Sequence, residues 1–169
     1  ITVTPANDPP FFNAVASQTV NEDAAAQILI ISGVSAGPAD DAGQTITFTA
    51  SSSNPGIVPN PVISGSGSTR SLTYQPAPDA NGAVTITVTA DDGQSANNTF
   101  IRTFTITVNP VNDHPVFDAI SDQIINEDAG TQTVVITGVS PGPSNEVSQT
   151  VTFTATSNNT AIVPNPVIS

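Results

Sequence analysis

The sequence lacks cysteine, tryptophan, methionine and lysine, and only 9% of its 169 residues are charged. Without cysteine the chain can form neither disulfides nor thiolate metal sites. Without tryptophan, and with Tyr74 as its single tyrosine, it has little of the flat aromatic surface that a carbohydrate-binding module needs. These absences favour a structural role over small-molecule chemistry.

Basic charge is nearly missing as well. The chain has 14 acidic residues against two arginines, Arg70 and Arg102, which gives a net charge of -12. Such a surface repels nucleic acid and anionic membranes, so we expect no nucleic-acid partner and no direct membrane insertion. The acidity has two interpretations, attraction of cations and solubility, and composition does not separate them.

Long apolar runs are also missing. No segment approaches 18 apolar residues, and the first residues lack the basic and then apolar pattern of a signal peptide. We therefore expect any export signal or anchor to lie outside this sequence. The absence of thiols suits a protein that is exported unfolded and works outside the cell.

An internal repeat organises the chain. Residues 1–64 align with residues 106–169 at a constant offset of 105 without a gap, and 37 of the 64 positions are identical. This period matches one immunoglobulin-sized domain rather than a solenoid unit. The offset predicts the last strand of a preceding repeat in residues 1–4, a complete repeat in residues 5–110, and the first, incomplete part of the next repeat in residues 111–169.

Period-two alternation predicts the strands. Apolar side chains alternate with threonine in residues 45–50, 84–90 and 104–108, and Leu72 and Tyr74 form a shorter alternation. The continuous apolar run Ile28–Ile31 predicts a strand that is covered on both faces. The pattern predicts outward-facing Thr47, Thr87 and Thr105 and a core that includes Ile31, Phe48, Leu72, Ile86, Val88 and Ile106.

Turn residues punctuate these strands. Gly82 closes a turn before the strand of Val84, and Asp91–Gly93 begins a hairpin loop to the next strand. Four prolines in residues 38–61 exclude a long helix there. Six to seven short strands in about 105 residues indicate an all-β, immunoglobulin-like Greek-key sandwich, repeated in tandem.

The residue inventory argues against an enzyme. The only histidine, His114, lies in a predicted linker, and Pro9 is its counterpart in the other repeat. No serine has a partnered base, and the paired carboxylates lie in turns rather than in a cleft. We therefore expect no catalytic residues and no organic cofactor.

Acidic and amide side chains cluster at the predicted domain ends and loops. Ca²⁺ prefers six to eight oxygen ligands of this kind, but Asp and Asn are also the ordinary residues of turns. The sequence leaves both interpretations open for Asn7–Asp8, Glu22–Asp23, Asp79, Asp91–Asp92, Asn112–Asp113 and Glu127–Asp128.

The segment NPVNDHPVF resembles the junction motif of cadherins, Asp-x-Asn-Asp-Asn-x-Pro-x-Phe. Asn109, Asn112, Asp113, Pro115 and Phe117 occupy its first, fourth, fifth, seventh and ninth places. The NEDA segments resemble the start of a cadherin domain, Asp79 falls at the glutamate of the Leu-Asp-Arg-Glu motif, and Ala90–Asp92 matches Ala-x-Asp. The resemblance implies Ca²⁺ ligands at Glu22, Asp79, Asp92, Asn109, Asn112, Asp113 and Glu127.

The chain departs from the cadherin pattern in three places. Val111 stands where cadherins carry a ligand asparagine, Ala77 replaces a motif aspartate, and Asp40–Asp41 becomes Asn145–Glu146 in the second repeat. These departures predict fewer ions than a full cadherin junction holds. The VNDxP junctions, NEDA starts and DANG turns more closely resemble the cadherin-like and immunoglobulin-like tandem repeats of large bacterial surface proteins.

This resemblance implies an extracellular or cell-surface spacer with a structural or adhesive role, which Ca²⁺ would stiffen. Its partners would be neighbouring repeats of the same chain, other copies in a fibre, or a cell-surface ligand. Two alternatives remain open. One is a filament subunit whose incomplete second domain receives strands from another copy, and the other is a carbohydrate-binding accessory module of a secreted enzyme.

Overall fold

Seven strands form the first part of the chain. The structure is a computed structural model that describes residues 1–2 and 4–169. Its two units span Ile1–Val111 and Asn112–Ser169. The strands are β1 (Gln18–Asn21), β2 (Gln27–Ser32), β3 (Thr47–Ser52), β4 (Val62–Ser64), β5 (Thr69–Tyr74), β6 (Gly82–Asp91) and β7 (Thr99–Asn109).

The strands form two sheets. One has the order β1-β7-β6-β3 and the other has the order β2-β5-β4. All pairs are antiparallel except β1 and β7, which run parallel. Before β1, Phe11 joins the β2 end of the smaller sheet through an isolated bridge to Ser35. The predicted all-β, immunoglobulin-like sandwich is confirmed.

The core lies between the two sheets and follows the predicted alternation. In β6 the side chains at positions 84, 86, 88 and 90 are buried, because every second residue of a strand points to the same face. The buried apolar set is Phe12, Ile31, Val58, Leu72, Tyr74, Val84, Ile86, Val88, Ala90, Phe104, Ile106 and Val108. Five of the six predicted core residues are confirmed by this burial.

Phe48, the sixth, is only partly buried. It lies in β3, which is an edge strand of its sheet, so one side of the ring has no neighbouring strand. The ring packs edge-to-face on Phe12 at 5.5 Å, and the Arg70 guanidinium lies 5.2 Å from its centre. Of the predicted outward threonines, Thr47 is exposed, whereas Thr87 and Thr105 are half-buried.

The prediction for the run Ile28–Ile31 was wrong. Ile31 is buried and Leu29 packs against the core, but Ile28 is 65% exposed and Ile30 is 60% exposed. The reason is that β2 belongs to the three-stranded sheet, and only one face of that sheet packs against the four-stranded sheet. The run therefore alternates in burial although it does not alternate in polarity.

The second unit, Asn112–Ser169, is described throughout and has no regular strand. It contains an isolated bridge between Val116 and Ser140 and a 3-10 helix, Ser144–Glu146. Phe117 is 51% exposed, whereas its counterpart Phe12 is completely buried. Phe12 belongs to one core cluster with buried residues of β5, β6 and β7, and these strands have no counterpart within residues 112–169.

Local structure is nevertheless the same in both repeats. Phe117 packs edge-to-face on Phe153 at 5.5 Å, as Phe12 packs on Phe48. Asn165 accepts a hydrogen bond from the backbone N–H of Ser157 at 2.9 Å, as Asn60 accepts one from Ser52 at 2.8 Å. The shared sequence therefore encodes the same turns whether or not β5–β7 are present. Of the expected strand in residues 1–4, Ile1, Thr2 and Thr4 are exposed, and Val3 lies outside the described residues.

Candidate cation site and buried carboxylates

Glu22 lies at the end of the sandwich where β1 and β7 finish. Its side chain is only 2% exposed, and Oε1 accepts a hydrogen bond from the backbone N–H of Val111 at 2.7 Å. The backbone N–H of Glu22 donates to the carbonyl of Asn109 at 2.9 Å. Glu22 therefore holds the segment that follows β7 against the end of β1.

Asp23 and Asp79 form the most open acidic pair at this end. Both are exposed, and both have left-handed backbone conformations, with φ of 61° and 54°. Aspartate tolerates this region better than most side chains do. The backbone N–H of Asp79 donates to Asp23 Oδ1 at 3.2 Å, and one carboxylate oxygen of each residue lies within 4.8 Å of the other.

This spacing suits a bridging Ca²⁺ ion. Ca²⁺–oxygen bonds are about 2.3–2.6 Å long, so one ion bridges oxygens roughly 4.8 Å apart. We call Asp23 and Asp79 the candidate cation site. The cadherin resemblance implies Asp79 and Glu22 as ligands but not Asp23, which the residue pattern leaves open between a ligand and a turn residue. The available signal was that Asp23 and Asp79 each precede an alanine in a turn, the NEDA and PDAN segments.

Asp92 lies at the opposite end of β6 from Asp79. β6 has 10 residues, which corresponds to about 30 Å of extended strand, so the two aspartates cannot share an ion. Asp92 is 4% exposed. Its Oδ2 accepts a hydrogen bond from Asn7 Nδ2 at 3.2 Å, and its Oδ1 accepts one from the backbone N–H of Gln94 at 3.0 Å. Asp92 is thus a hydrogen-bond acceptor that ties the start of the repeat to the end of β6.

Asp41, like Asp92, is a buried hydrogen-bond acceptor that holds the start of the repeat. It is 5% exposed, its Oδ2 accepts from the backbone N–H of Asp8 at 3.1 Å, and its Oδ1 accepts from Gln44 Nε2 at 2.7 Å. Gln44 Nε2 also donates to Asn7 Oδ1 at 2.7 Å. These contacts connect the NDPP segment at the start of the repeat to the loop between β2 and β3.

The second unit repeats this arrangement with a glutamate. Asp113 donates its backbone N–H to Glu146 Oε1 at 2.7 Å, and Gln149 Nε2 donates to Asn112 Oδ1 at 3.0 Å. Glu146 is the counterpart of Asp41 and is 3% exposed. The change from Asp to Glu, which the cadherin comparison treats as a departure, therefore keeps the carboxylate contact with the start of the repeat.

The remaining predicted ligands take different positions. Asn109 ends β7 and contributes its backbone carbonyl to Glu22 rather than to a cation site. Asn112 donates its side-chain amide to the carbonyl of Asp113 at 2.7 Å. Glu127 is exposed in a turn of the second unit. Within the first unit, only Asp79 of the predicted ligands has an exposed carboxylate beside a second exposed carboxylate.

A cavity of about 460 Å³ opens beside the loop that holds Asp41, with Gln44, Ile46 and Arg70 among its lining residues. Arg70 donates to the backbone carbonyls of Gly67 at 2.7 Å, Thr69 at 3.0 Å and Ile46 at 3.4 Å. Its guanidinium therefore holds the turn between β4 and β5 rather than binding an anion.

Tyr74 is 3% exposed, and burial raises the pKa of its hydroxyl above the ordinary value of 10.0. A ring this deeply buried offers no surface to a sugar.

The first unit is similar to a known family of domains. The family model for the bacterial Ig domain matches residues 7–109, which is the span from the Asn7 contacts to the end of β7. No curated protein matches the chain. Among the residues that the structure describes, no helix has the length and apolarity to cross a bilayer.

Proposed function

Because the chain belongs to the bacterial Ig domain family, we propose that it is a load-bearing spacer of a bacterial surface protein. It holds other parts of that protein, or an adhesive tip, away from the cell and performs no catalysis. Bacterial Ig domains usually occur in surface proteins, and the extracellular location fits a chain without thiols. The tandem repeat and the path of force through the sandwich support this role.

The parallel pairing of β1 with β7 is the observation that carries the proposal. The register runs from Gln18 opposite Ile106 to Asn21 opposite Asn109. The chain enters at the start of β1 and leaves at the end of β7, so tension on its ends pulls the two strands in opposite directions along their length. All hydrogen bonds between the two strands then bear the load together, and separation requires them to break at once.

The segment before β1 adds a second connection along the same path. Phe11 exchanges two backbone hydrogen bonds with Ser35, at 2.8 and 3.0 Å, and Asn13 donates to the carbonyl of Ser32 at 2.9 Å. Phe12, between them, is fully buried in the core. Tension from the N-terminal side therefore meets the smaller sheet before it reaches β1. Both sheets contribute to mechanical resistance.

Pulling the same domain in two directions tests the spacer. The chain has no cysteine, so Ala16→Cys, two residues before the parallel pairing begins in β1, and Thr103→Cys, three residues before it begins in β7, provide unique handles at the same end of the paired strands. Tension on these handles peels the two strands apart, whereas tension on the chain ends shears them. We expect a clearly lower unfolding force for peeling, because the bonds then break one after another. Equal unfolding forces in the two directions would contradict the proposed role of the parallel pair in bearing load.

We also propose that Ca²⁺ binds at the candidate cation site. Asp23 and Asp79 bring two negative charges together in a chain with only two cationic side chains for 14 acids. Bound Ca²⁺ relieves this repulsion and links the turn after β1 to the turn before β6. The site offers few protein oxygens, so water completes the shell and the affinity falls in the range of extracellular modules, about 10⁻⁴–10⁻³ M.

Calorimetry with Ca²⁺ and with a chelator tests this site. At a Ca²⁺ concentration about tenfold above the dissociation constant, binding adds about 1.4 kcal/mol to the free energy of unfolding. That gain raises the melting temperature by roughly 4–8 °C for each kcal/mol. We expect the shift in the wild type and in Asp40→Asn, which alters an exposed carboxylate elsewhere, and not in Asp23→Asn/Asp79→Asn. A shift that survives in the double variant would place the ion elsewhere, and no shift in the wild type would leave these aspartates as turn residues.

A further inference from the structure

The outer face of the three-stranded sheet carries an exposed apolar cluster. Ile28, Ile30 and Val62 are 65%, 60% and 67% exposed. The register places Ile28 beside Thr73 and Thr73 beside Val62, so these three side chains form one row across β2, β5 and β4. Ile30 lies in the next row with Ser71 and Ser64. We call these six residues the outer face.

The outer face carries no charge. All six side chains are aliphatic or hydroxyl, although the chain carries a net charge of -12. The acids of the first unit lie instead in loops, turns and strand ends. Contiguous exposed apolar side chains mark interaction sites more often than isolated ones do, and no charged side chain interrupts this cluster.

The other sheet shows the contrast. The outward positions of β3, β6 and β7 are almost all threonine or serine, and Ile101, 57% exposed, is the one large apolar side chain among them. A single exposed isoleucine is ordinary on a soluble domain, whereas three neighbouring β-branched side chains form a patch. The apolar exposure of the sandwich is therefore concentrated on one face.

We infer that the outer face binds the same face of a second copy of this chain. Two chains that each carry -12 repel one another wherever their acids approach, so an uncharged face is the surface through which identical copies can meet. A basic partner would find no carboxylate there. Stacking of two such faces is isologous and places the sheets about 10 Å apart, as in a sandwich.

The contact is small. Two strands of six residues and one of three, spaced at about 4.8 Å, present roughly 200–300 Å² per copy, against about 800 Å² per partner in a stable complex. Association of one domain pair is therefore weak. Val135 and Val167 are the sequence counterparts of Ile30 and Val62, so a second repeat folded like the first would carry uncharged β-branched side chains at the same two positions. Several weak contacts on one chain strengthen each other when they engage together.

Sedimentation of the full chain tests this face. We expect reversible dimers at concentrations approaching about 1 mM, where contacts worth only about 4 kcal/mol become populated. Raising the salt from about 0.15 M to roughly 1 M should strengthen the dimer, because salt screens the repulsion between the acidic chains and leaves the uncharged contact intact. A contact made by ion pairs would weaken instead.

Variants locate the contact. Ile28→Thr/Ile30→Thr/Val62→Thr keeps the β-branched shape that strands favour and should weaken dimerisation at least tenfold, and Ile30→Glu should do the same by placing like charges opposite each other. Ile101→Thr is the matched control on the other sheet and should have no effect. Phe117→Ser controls for association through the exposed apolar residues of the second unit. A chain that stays monomeric, or dimers that Ile101→Thr or Phe117→Ser disrupts as strongly as the triple variant does, would overturn the inference.

Discussion

Replacing Ile86 by alanine lowers the free energy of unfolding of the first unit by about 2–5 kcal/mol. Ile86 is fully buried in β6, a central strand with β3 on one side and β7 on the other. It lies opposite Ser52 in β3 and Phe104 in β7. Shortening the side chain leaves a cavity between two sheets whose backbones are fixed by hydrogen bonds, so the site cannot collapse to fill it.

Thr85→Ala is the matched control. Thr85 precedes Ile86 in the same strand but points to solvent on the other side of the four-stranded sheet, so its truncation changes the free energy of unfolding by no more than about 0.5 kcal/mol. Urea denaturation of the full chain measures both changes. Similar losses for the two variants would mean that β6 is shifted by one residue, which would turn every side chain of that strand to the other face.

Alternation predicted β6 and β7 well because both strands cover a core on one side and face water on the other. Thr85, Thr87 and Thr89 alternate with four buried apolar residues, so polarity and burial have the same period. Tyr74, which alternates with Leu72 in β5, is buried for the same reason. In such strands the alternation of polar and apolar residues predicts which face is exposed to solvent.

The burial of the run Ile28–Ile31 could not be predicted from alternation. Apolar side chains at every position are compatible with burial on both faces, and sequence alone does not show whether a second layer exists. In the folded chain Ile28 and Ile30 face outward, where no other strand of the first unit covers them. Ile28 and Ile30, for which the predicted burial was wrong, belong to the outer face.

The acidic residues could be found from the sequence, but their grouping could not. Asp79 and Asp92 are 13 positions apart and both fall at places that the cadherin resemblance implies as ligands, yet β6 separates them by its whole length. By contrast, Asp41 Oδ2 accepts a hydrogen bond from the backbone N–H of Asp8, which lies 33 positions away in the sequence. Which carboxylates share one end of a sandwich depends on the sheet topology, and that topology emerges only when the strands are paired.

A chain with a completed second repeat tests whether each repeat is an independent mechanical unit. Residues 65–110 are attached after Ser169, at the point where the offset of 105 would place their counterparts. In the first unit Phe12 and Val58 are buried in a core cluster shared with β5, β6 and β7, whereas their counterparts Phe117 and Val163 are 51% and 47% exposed. The added segment supplies the same strands, so residues 112–169 should fold into a second sandwich around these side chains.

Force spectroscopy on this chain, with residues 1–169 as the control, then counts the load-bearing domains. The chain of 169 residues should give one unfolding event, in which about 100 residues extend by roughly 300–350 Å. The completed chain should give two events of this size at similar force, because each repeat contains its own parallel pair of first and last strands. A single event in the completed chain, or extension of the first unit without a force peak, would contradict the conclusion that each repeat is an independent mechanical unit.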